Sequence, residues 1–433
     1  MENKLIHPTI EQVEWADCEI GVIIHLDLTT FRTIHRFSDH FGDPIPASEF
    51  DPKDLDTDQW LAAAKALGAK YAVLVAKHCT GFSLWPTQAH DYHVGNSPHK
   101  EDIVAAFMES CKKYDVRPGI YCSVSFNQYF SVTNPGKVID GDSVKQQAYN
   151  EMVLKQLTEL WTNYGKLFEI WFDGGVLPVE EGGPDVVSLL HRLQPDAVVF
   201  QGPVGTKSLI RWVGNEDGVA PEDCSALCMS GKQMDDGTVN RDDISSVDGN
   251  IWSPAESDFS NRRAATSYQG GWFWREGEES EVFPAEHLYD RYLTSVGRNT
   301  NMLVGMVIDT NGRFPARDRE EFAKAGDMIR RVFGQPLATV QCDPLSICLA
   351  EGEGRKAGYF SVGEDIARGE RVTGYTVHGY DDHGYEIFTH RGKVIGHKRI
   401  LEVPAEVIRV ELEITAARAK PVIKFMELYP AKN

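Results

Sequence analysis

Continuous apolar runs alternate with helical patterns over the first 200 residues or so, and this alternation restricts the fold more than any other feature. The runs at 19–25, 71–76, 118–123, 168–172 and 197–200 read as strands with little polar face. Residues 56–69 read as a helix: Trp60, Ala63, Ala64 and Leu67 recur at helical spacing, Asp56 or Thr57 can cap the start, and Gly68 lies at the end. Residues 101–114 and 143–164 carry further helical patterns. Strands buried on both faces and separated by helices predict a parallel sheet covered by helices, here a (β/α)8-like barrel rather than an open sheet. From 215 to 279 the periodicity fades into Gly, Asp, Ser and aromatics, which reads as long loops over the barrel mouth. After residue 336 short alternating runs appear at 359–362, 372–377, 407–412 and 422–428, as in an antiparallel β-sandwich. The predicted organisation is a barrel over 1–337 and a β-sandwich over 338–433.

The net charge of −20 argues against nucleic acid and anionic membranes as partners, because both would repel the chain. A neutral small molecule suits it better. No uncharged apolar stretch approaches the roughly 18 residues of a membrane span. The first residues, Met1 to Pro8, lack an apolar signal core, so a cytoplasmic location is expected, or a secreted one if a signal peptide has been removed. The eight cysteines form no C-x-x-C pair, and several lie in apolar runs, so they are expected to be reduced core thiols. Neither a phosphate-binding loop nor a dinucleotide fingerprint is present, and no nucleophile elbow. No cofactor is therefore expected. A homo-oligomer is compatible with the sequence.

Asp173 ends the run Phe168-Glu169-Ile170-Trp171-Phe172 and is followed by Gly174 and Gly175. An acid at the C-terminal mouth of an inner strand is how a barrel presents a catalytic group. Glu216 lies in Arg211-Trp212-Val213-Gly214-Asn215-Glu216-Asp217-Gly218, a tight loop about one strand–helix unit further on, so both acids can face one mouth. Two such carboxylates suit glycoside hydrolysis, one attacking the anomeric carbon and the other protonating the leaving oxygen. Trp272, after Gly270 and Gly271, reads as a sugar-stacking ring, and Trp85 and Trp171 flank other mouth segments. His25 and His78 end the first two strands, where they can bond sugar hydroxyls. Joined by Asp27 they could instead hold a metal, although no H-x-H or H-E-x-x-H motif is present. The preferred reading has no metal.

Lys77-His78-Cys79-Thr80-Gly81-Phe82-Ser83-Leu84-Trp85-Pro86 resembles the lysine-histidine…glycine-phenylalanine…leucine-tryptophan-proline signature of the α-L-fucosidases of glycoside hydrolase family 29. Ile170-Trp171-Phe172-Asp173-Gly174 resembles that family's nucleophile strand. Val213-Gly214-Asn215-Glu216, Trp252-Ser253-Pro254-Ala255-Glu256, Gly271-Trp272-Phe273-Trp274 and Ser295-Val296-Gly297-Arg298-Asn299 are similar to segments of its 1,3/1,4-linkage-selective branch. The resemblance implies a retaining exo-glycosidase with Asp173 as nucleophile and Glu216 as acid/base. It places His25 and His78 on ring hydroxyls, Tyr121 at the third strand's mouth and Trp272 against the C5 substituent. Trp85, Trp171, Cys79 and Thr80 complete the expected substrate-binding set.

Departures from the family pattern concern sugar recognition. Cys79 and Thr80 stand where the family has a histidine and an aspartate, Leu26 and Asp27 follow the first strand, and Leu303-Val304-Gly305 replaces a leucine-leucine-asparagine segment. A thiol and a hydroxyl cannot reproduce the donors and acceptors of an imidazole and a carboxylate. The expected substrate is thus a terminal α-L-fucoside or a related α-L-sugar of the L-glucose or L-galactose type. The alternatives are a metal-dependent barrel hydrolase built on His25, Asp27 and His78, and a non-catalytic sugar-binding relative.

Overall fold

The computed structural model describes residues 5–33, 40–229, 244–341, 345–349 and 356–432. Part of the 215–279 stretch, and Cys342, lie outside the described residues. Eight parallel strands close into a barrel: β1 Ile20–His25, β2 Tyr71–Lys77, β3 Arg117–Cys122, β4 Glu169–Trp171, β5 Val198–Phe200, β6 Leu209–Trp212, β7 Ala255–Phe259 and β8 Asn301–Val307. Each strand pairs with the next, and β1 closes on β8 with Ile20 opposite Met302 and His25 opposite Val307. The ring closes tightly at Gly21, where a Cβ would lie 2.2 Å from the Tyr71 ring. A side chain at position 21 would therefore force apart two strands paired at this point.

Helices α2 Thr57–Leu67, α3 Ile103–Tyr114, α4 Ser143–Asn163, α5 Val186–Leu193, α6 Ala285–Thr294 and α7 Ala316–Phe333 lie between and after the strands. Asp56 caps α2 through the Gln59 N–H, and Gly68, at φ +107°, ends it in the left-handed conformation that glycine adopts without strain. A preceding helix, α1 Ile10–Ala16, plugs the N-terminal end of the barrel. Its Trp15 indole donates to Glu169 Oε2 at 3.3 Å, its Gln12 amide donates to the Leu209 carbonyl at 2.7 Å, and its Trp15 carbonyl accepts from Asn301 at 2.7 Å.

The 215–279 region corrects the sequence reading, for it contains β7 as well as loops. Ala255-Glu256-Ser257-Asp258-Phe259 carries no apolar run because Glu256 and Asp258 are buried polar positions of a barrel strand. Side chains reaching across the barrel interior meet Glu256, the Tyr71 hydroxyl of β2 at 2.6 Å and the Trp171 indole of β4 at 2.9 Å, and the Trp212 indole of the adjacent β6 donates to Asp258 at 2.6 Å. No helix separates β5 from β6 or β6 from β7 among the described residues. A short antiparallel pair, 227–228 with 251–252, lies within the second connection.

The sandwich starts at Ala338. Strands β9 Ala338–Gln341, β10 Ser346–Cys348, β11 Ala357–Glu364, β12 Val372–Tyr380, β13 Glu386–Gly392, β14 Arg399–Glu402, β15 Arg409–Ala417 and β16 Ile423–Pro430 form two antiparallel sheets, ordered β9-β16-β11-β14 and β10-β15-β12-β13. Phe360, Val377, Val410, Met426 and Leu428 fill the space between them. Phe333, at the end of α7, packs against Tyr359 and Tyr429 with ring centroids 5.2 and 5.1 Å away. Glu370 accepts from the Ser225 hydroxyl at 2.6 Å and from the Asn299 amide at 2.6 Å. These contacts seat the sandwich away from the barrel mouth. Six of the seven described cysteines are buried, Cys348 is exposed, and none is bridged. No helix among the described residues is long and apolar enough to cross a membrane.

Candidate active site

The C-terminal ends of the barrel strands surround a cavity of about 450 Å³. Glu169, Trp171 and Asp173 alternate along β4 and its continuation. The first lies among the barrel's interior groups and the other two line the cavity. The Phe172 N–H donates to the Phe200 carbonyl at 3.1 Å, so strand pairing continues up to the catalytic-type acid. Gly174 then turns with φ +69°, and a Cβ there would meet Asn134 at 2.8 Å and Ser125 at 2.9 Å. Its N–H donates to Gln201 Oε1 at 3.1 Å, and the Ser125 hydroxyl donates to the Asp173 carbonyl. The backbone behind Asp173 is therefore held from two neighbouring loops.

The Tyr121 hydroxyl donates to Asp173 Oδ2 at 3.1 Å. Burial pushes the Asp173 carboxyl up to about 6; the Tyr121 bond works against this, and the Glu216 charge adds to it. Asp173 is still mostly ionised at neutral pH. Glu216 reaches the same cavity from the loop after β6 and stands exposed at its rim. Two bonds set that loop: the Val213 N–H donates to the Glu256 carbonyl at 3.0 Å, and the Asp217 N–H donates to Asn215 Oδ1 at 3.0 Å.

Trp171 stacks on Phe200 at 3.8 Å with the rings 4° from parallel, forming an apolar wall of the cavity. His25 and His78 lie 5.9 Å apart, and the Phe273 ring stands edge-on to both. Trp272 packs 5.2 Å from His25. It closes over Gly305, where a Cβ would come within 2.9 Å of its indole. Burial pushes His25 down to about 3, and burial followed by the His25 charge holds His78 well below the usual imidazole range. Both rings are thus neutral and present one donor and one acceptor nitrogen each. Cys79 lines the cavity, and burial keeps its thiol protonated.

Two expected sugar contacts lie elsewhere. Thr80 turns away from the cavity and donates to Asp27, at 2.6 and 2.8 Å from its two carboxylate oxygens. Trp85 is buried beside the start of α3 and the end of α4, where its indole donates to Glu159 Oε2 at 2.9 Å. A turn closed by the Gly81 N–H on the His78 carbonyl at 3.1 Å carries the chain away from the cavity after Cys79, so positions that look like mouth residues in sequence do not reach it. The metal alternative also loses its third member. Asp27 accepts from Thr80 and from the Leu28 N–H at 2.6 Å and does not line the cavity. No group of three metal-ligating side chains forms among the described residues.

The cavity also holds groups that the sequence reading did not single out: Asp258, Gln201, Asn134 and Phe273. Asp258 had a signal, two acids spaced by two residues ahead of Phe259, but without an apolar run it did not read as a strand. No sandwich residue lines the cavity among the described residues.

A family model described as alpha-L-fucosidase matches residues 12–332. Alpha-L-fucosidase 1 of Arabidopsis thaliana is 31% identical over 98% of this chain and 88% of its own length. A crystal structure from Bacteroides thetaiotaomicron, carrying a provisional α-L-fucosidase name, superimposes with a TM-score of 0.89 at 32% identity over 99% of this chain and all of that one. A glycoside hydrolase 29 family member from an unknown rumen bacterium gives 0.80 at 26% identity, over 99% of this chain and 78% of the other. The chain is therefore a glycoside hydrolase of the α-L-fucosidase family, glycoside hydrolase family 29.

Proposed function

We propose that the chain is a retaining exo-α-L-glycosidase acting on terminal α-L-fucosides or a closely related α-L-sugar. The observation that carries this reading is one cavity lined by two acids in contrasting settings, Asp173 enclosed at the end of β4 and Glu216 exposed at the rim. The names of the relatives support the sugar class. Asp173 attacks the anomeric carbon while the bond to the leaving oxygen breaks, and Glu216 gives that oxygen its proton. Glu216 then takes a proton from water, the water oxygen attacks the anomeric carbon, and the bond to Asp173 breaks. Tyr121 orients the attacking carboxylate, and the neutral His25 and His78 pair with ring hydroxyls. Trp171 and Trp272 cover the apolar faces of the sugar. A panel of aryl α-L-glycosides tests the substrate. Turnover of the fucoside far above the L-galactoside and L-glucoside identifies a fucosidase, the reverse order identifies an altered sugar, and turnover of none rejects the proposal.

The reaction needs Asp173 ionised. Its raised pKa means that the attacking form is present above about 6 and lost as the pH falls through that value. We expect kcat/KM for an activated aryl glycoside, followed from about pH 4 to about pH 8, to have an acid limb near 6. A limb near the ordinary carboxyl value would contradict the enclosed setting of Asp173.

A further inference from the structure

We propose that Asp258 is a specificity-determining residue of this cavity, its carboxyl forming a hydrogen bond with a hydroxyl of the bound sugar. The inference rests on the glycosidase reading above and adds a third acid to the two that perform the displacement.

Asp258 is only 4% exposed, yet it lines the same cavity as Asp173 and Glu216. Its neighbour on the same strand shows what a purely structural acid looks like here. Glu256 has its two carboxylate oxygens met by Tyr71 and Trp171 and does not line the cavity. Asp258 receives one side-chain donor among the described residues, the Trp212 indole, at 2.6 Å from Oδ1, and one backbone hydrogen bond from its own residue. Those bonds fix the carboxyl group and leave it hydrogen-bonding capacity for a ligand. No described cation pairs with it. Its charged neighbours are acids, and burial, Glu216 and Glu256 together hold its pKa well above the usual carboxyl range. A carboxyl that keeps its proton can donate as well as accept. The fold thus holds a carboxyl with no partner cation among the described residues where a sugar would sit, positioned by its own bonds and with hydrogen-bonding capacity to spare.

The end of β2 makes this contribution more significant. Thr80 is engaged by Asp27, so that strand offers the cavity only the weak donor of the Cys79 thiol beside His78. Asp258 supplies hydrogen-bonding capacity from β7 instead. A site built to pair a substrate hydroxyl rejects the analogue that lacks it, because its own polar group is left unpaired.

The test is a cycle between Asp258 and the sugar hydroxyls. kcat/KM is measured for wild type, Asp258→Ala and Asp258→Asn on an aryl α-L-fucoside and on analogues each lacking one hydroxyl. The expected result is a loss on the order of 10- to 100-fold for Asp258→Ala on the parent substrate. One deoxy analogue should lose a similar factor with wild type and little more with the variant. Asp258→Asn, which can still accept from Trp212 and donate to the sugar, should recover part of the loss. Equal fractional losses on every analogue would show a merely structural role and overturn the proposal. If Asp258→Ala does not fold, as judged by its melting curve, the same cycle on Asp258→Asn decides. Should wild type turn over no α-L-glycoside, the functional reading fails separately. Calorimetric titration of L-fucose and its deoxy analogues into the wild-type and variant proteins then judges Asp258. Weakening confined to one hydroxyl supports it, whereas uniform weakening or no binding overturns it.

Discussion

Asp173→Ala is expected to lower turnover of any glycoside substrate by a factor on the order of 10⁴ or more, as loss of a covalent nucleophile does. The substitution removes the atom that attacks the anomeric carbon and leaves the Trp171–Phe200 wall and the Tyr121 hydroxyl behind. Sugar binding should therefore survive, and the loss should fall on kcat. The vacated space also allows a chemical check. Added azide can attack the anomeric carbon directly and displace the leaving group, giving a glycosyl azide of inverted configuration. Turnover near the wild-type rate in the variant would remove Asp173 from the chemistry.

Glu216→Ala should separate substrates by their leaving groups. An alkoxide leaves poorly without a proton, so a natural glycoside should lose about 10²- to 10⁴-fold. A nitrophenolate leaves unaided, so an activated aryl glycoside should still form the glycosyl–enzyme and then stall for want of a base to activate water. Azide needs no such base. It should restore turnover of the aryl substrate and give a glycosyl azide of retained configuration, the opposite product to that of the Asp173 variant. Wild-type behaviour of Glu216→Ala on a natural glycoside would refute the acid/base assignment. Its exposed position at the rim suits the role, because the leaving group of a terminal sugar points toward solvent.

The first half of the barrel was legible because β1 to β5 carry the apolar runs expected of strands covered on both sides. The rest was obscured by function and by topology. β7 carries acids where a reader looks for valine, and the usual helices between β5, β6 and β7 are missing from the pattern among the described residues. Asp173 stood out because a readable strand leads to it, whereas Glu216 was read from its glycine-flanked loop and gained its acid/base role from the family resemblance, since the four residues Leu209–Trp212 are too short a run to register as a strand. Trp85 and Thr80 show the limit in the other direction. Their neighbours Cys79 and His78 do line the cavity, and only the outward bend after β2, invisible in the sequence, sends the next residues to Glu159 and Asp27. Asp258 shows it again, because a buried acid and a solvated one look alike until the strand beneath them is known.

The configuration of the first sugar released is the most direct test of double displacement by Asp173 and Glu216. Proton NMR during hydrolysis of an α-L-glycoside, read before mutarotation, should show the α-anomer appearing first and the β-anomer growing in later. Initial release of the β-anomer would mean a single inverting displacement and would contradict a covalent role for Asp173.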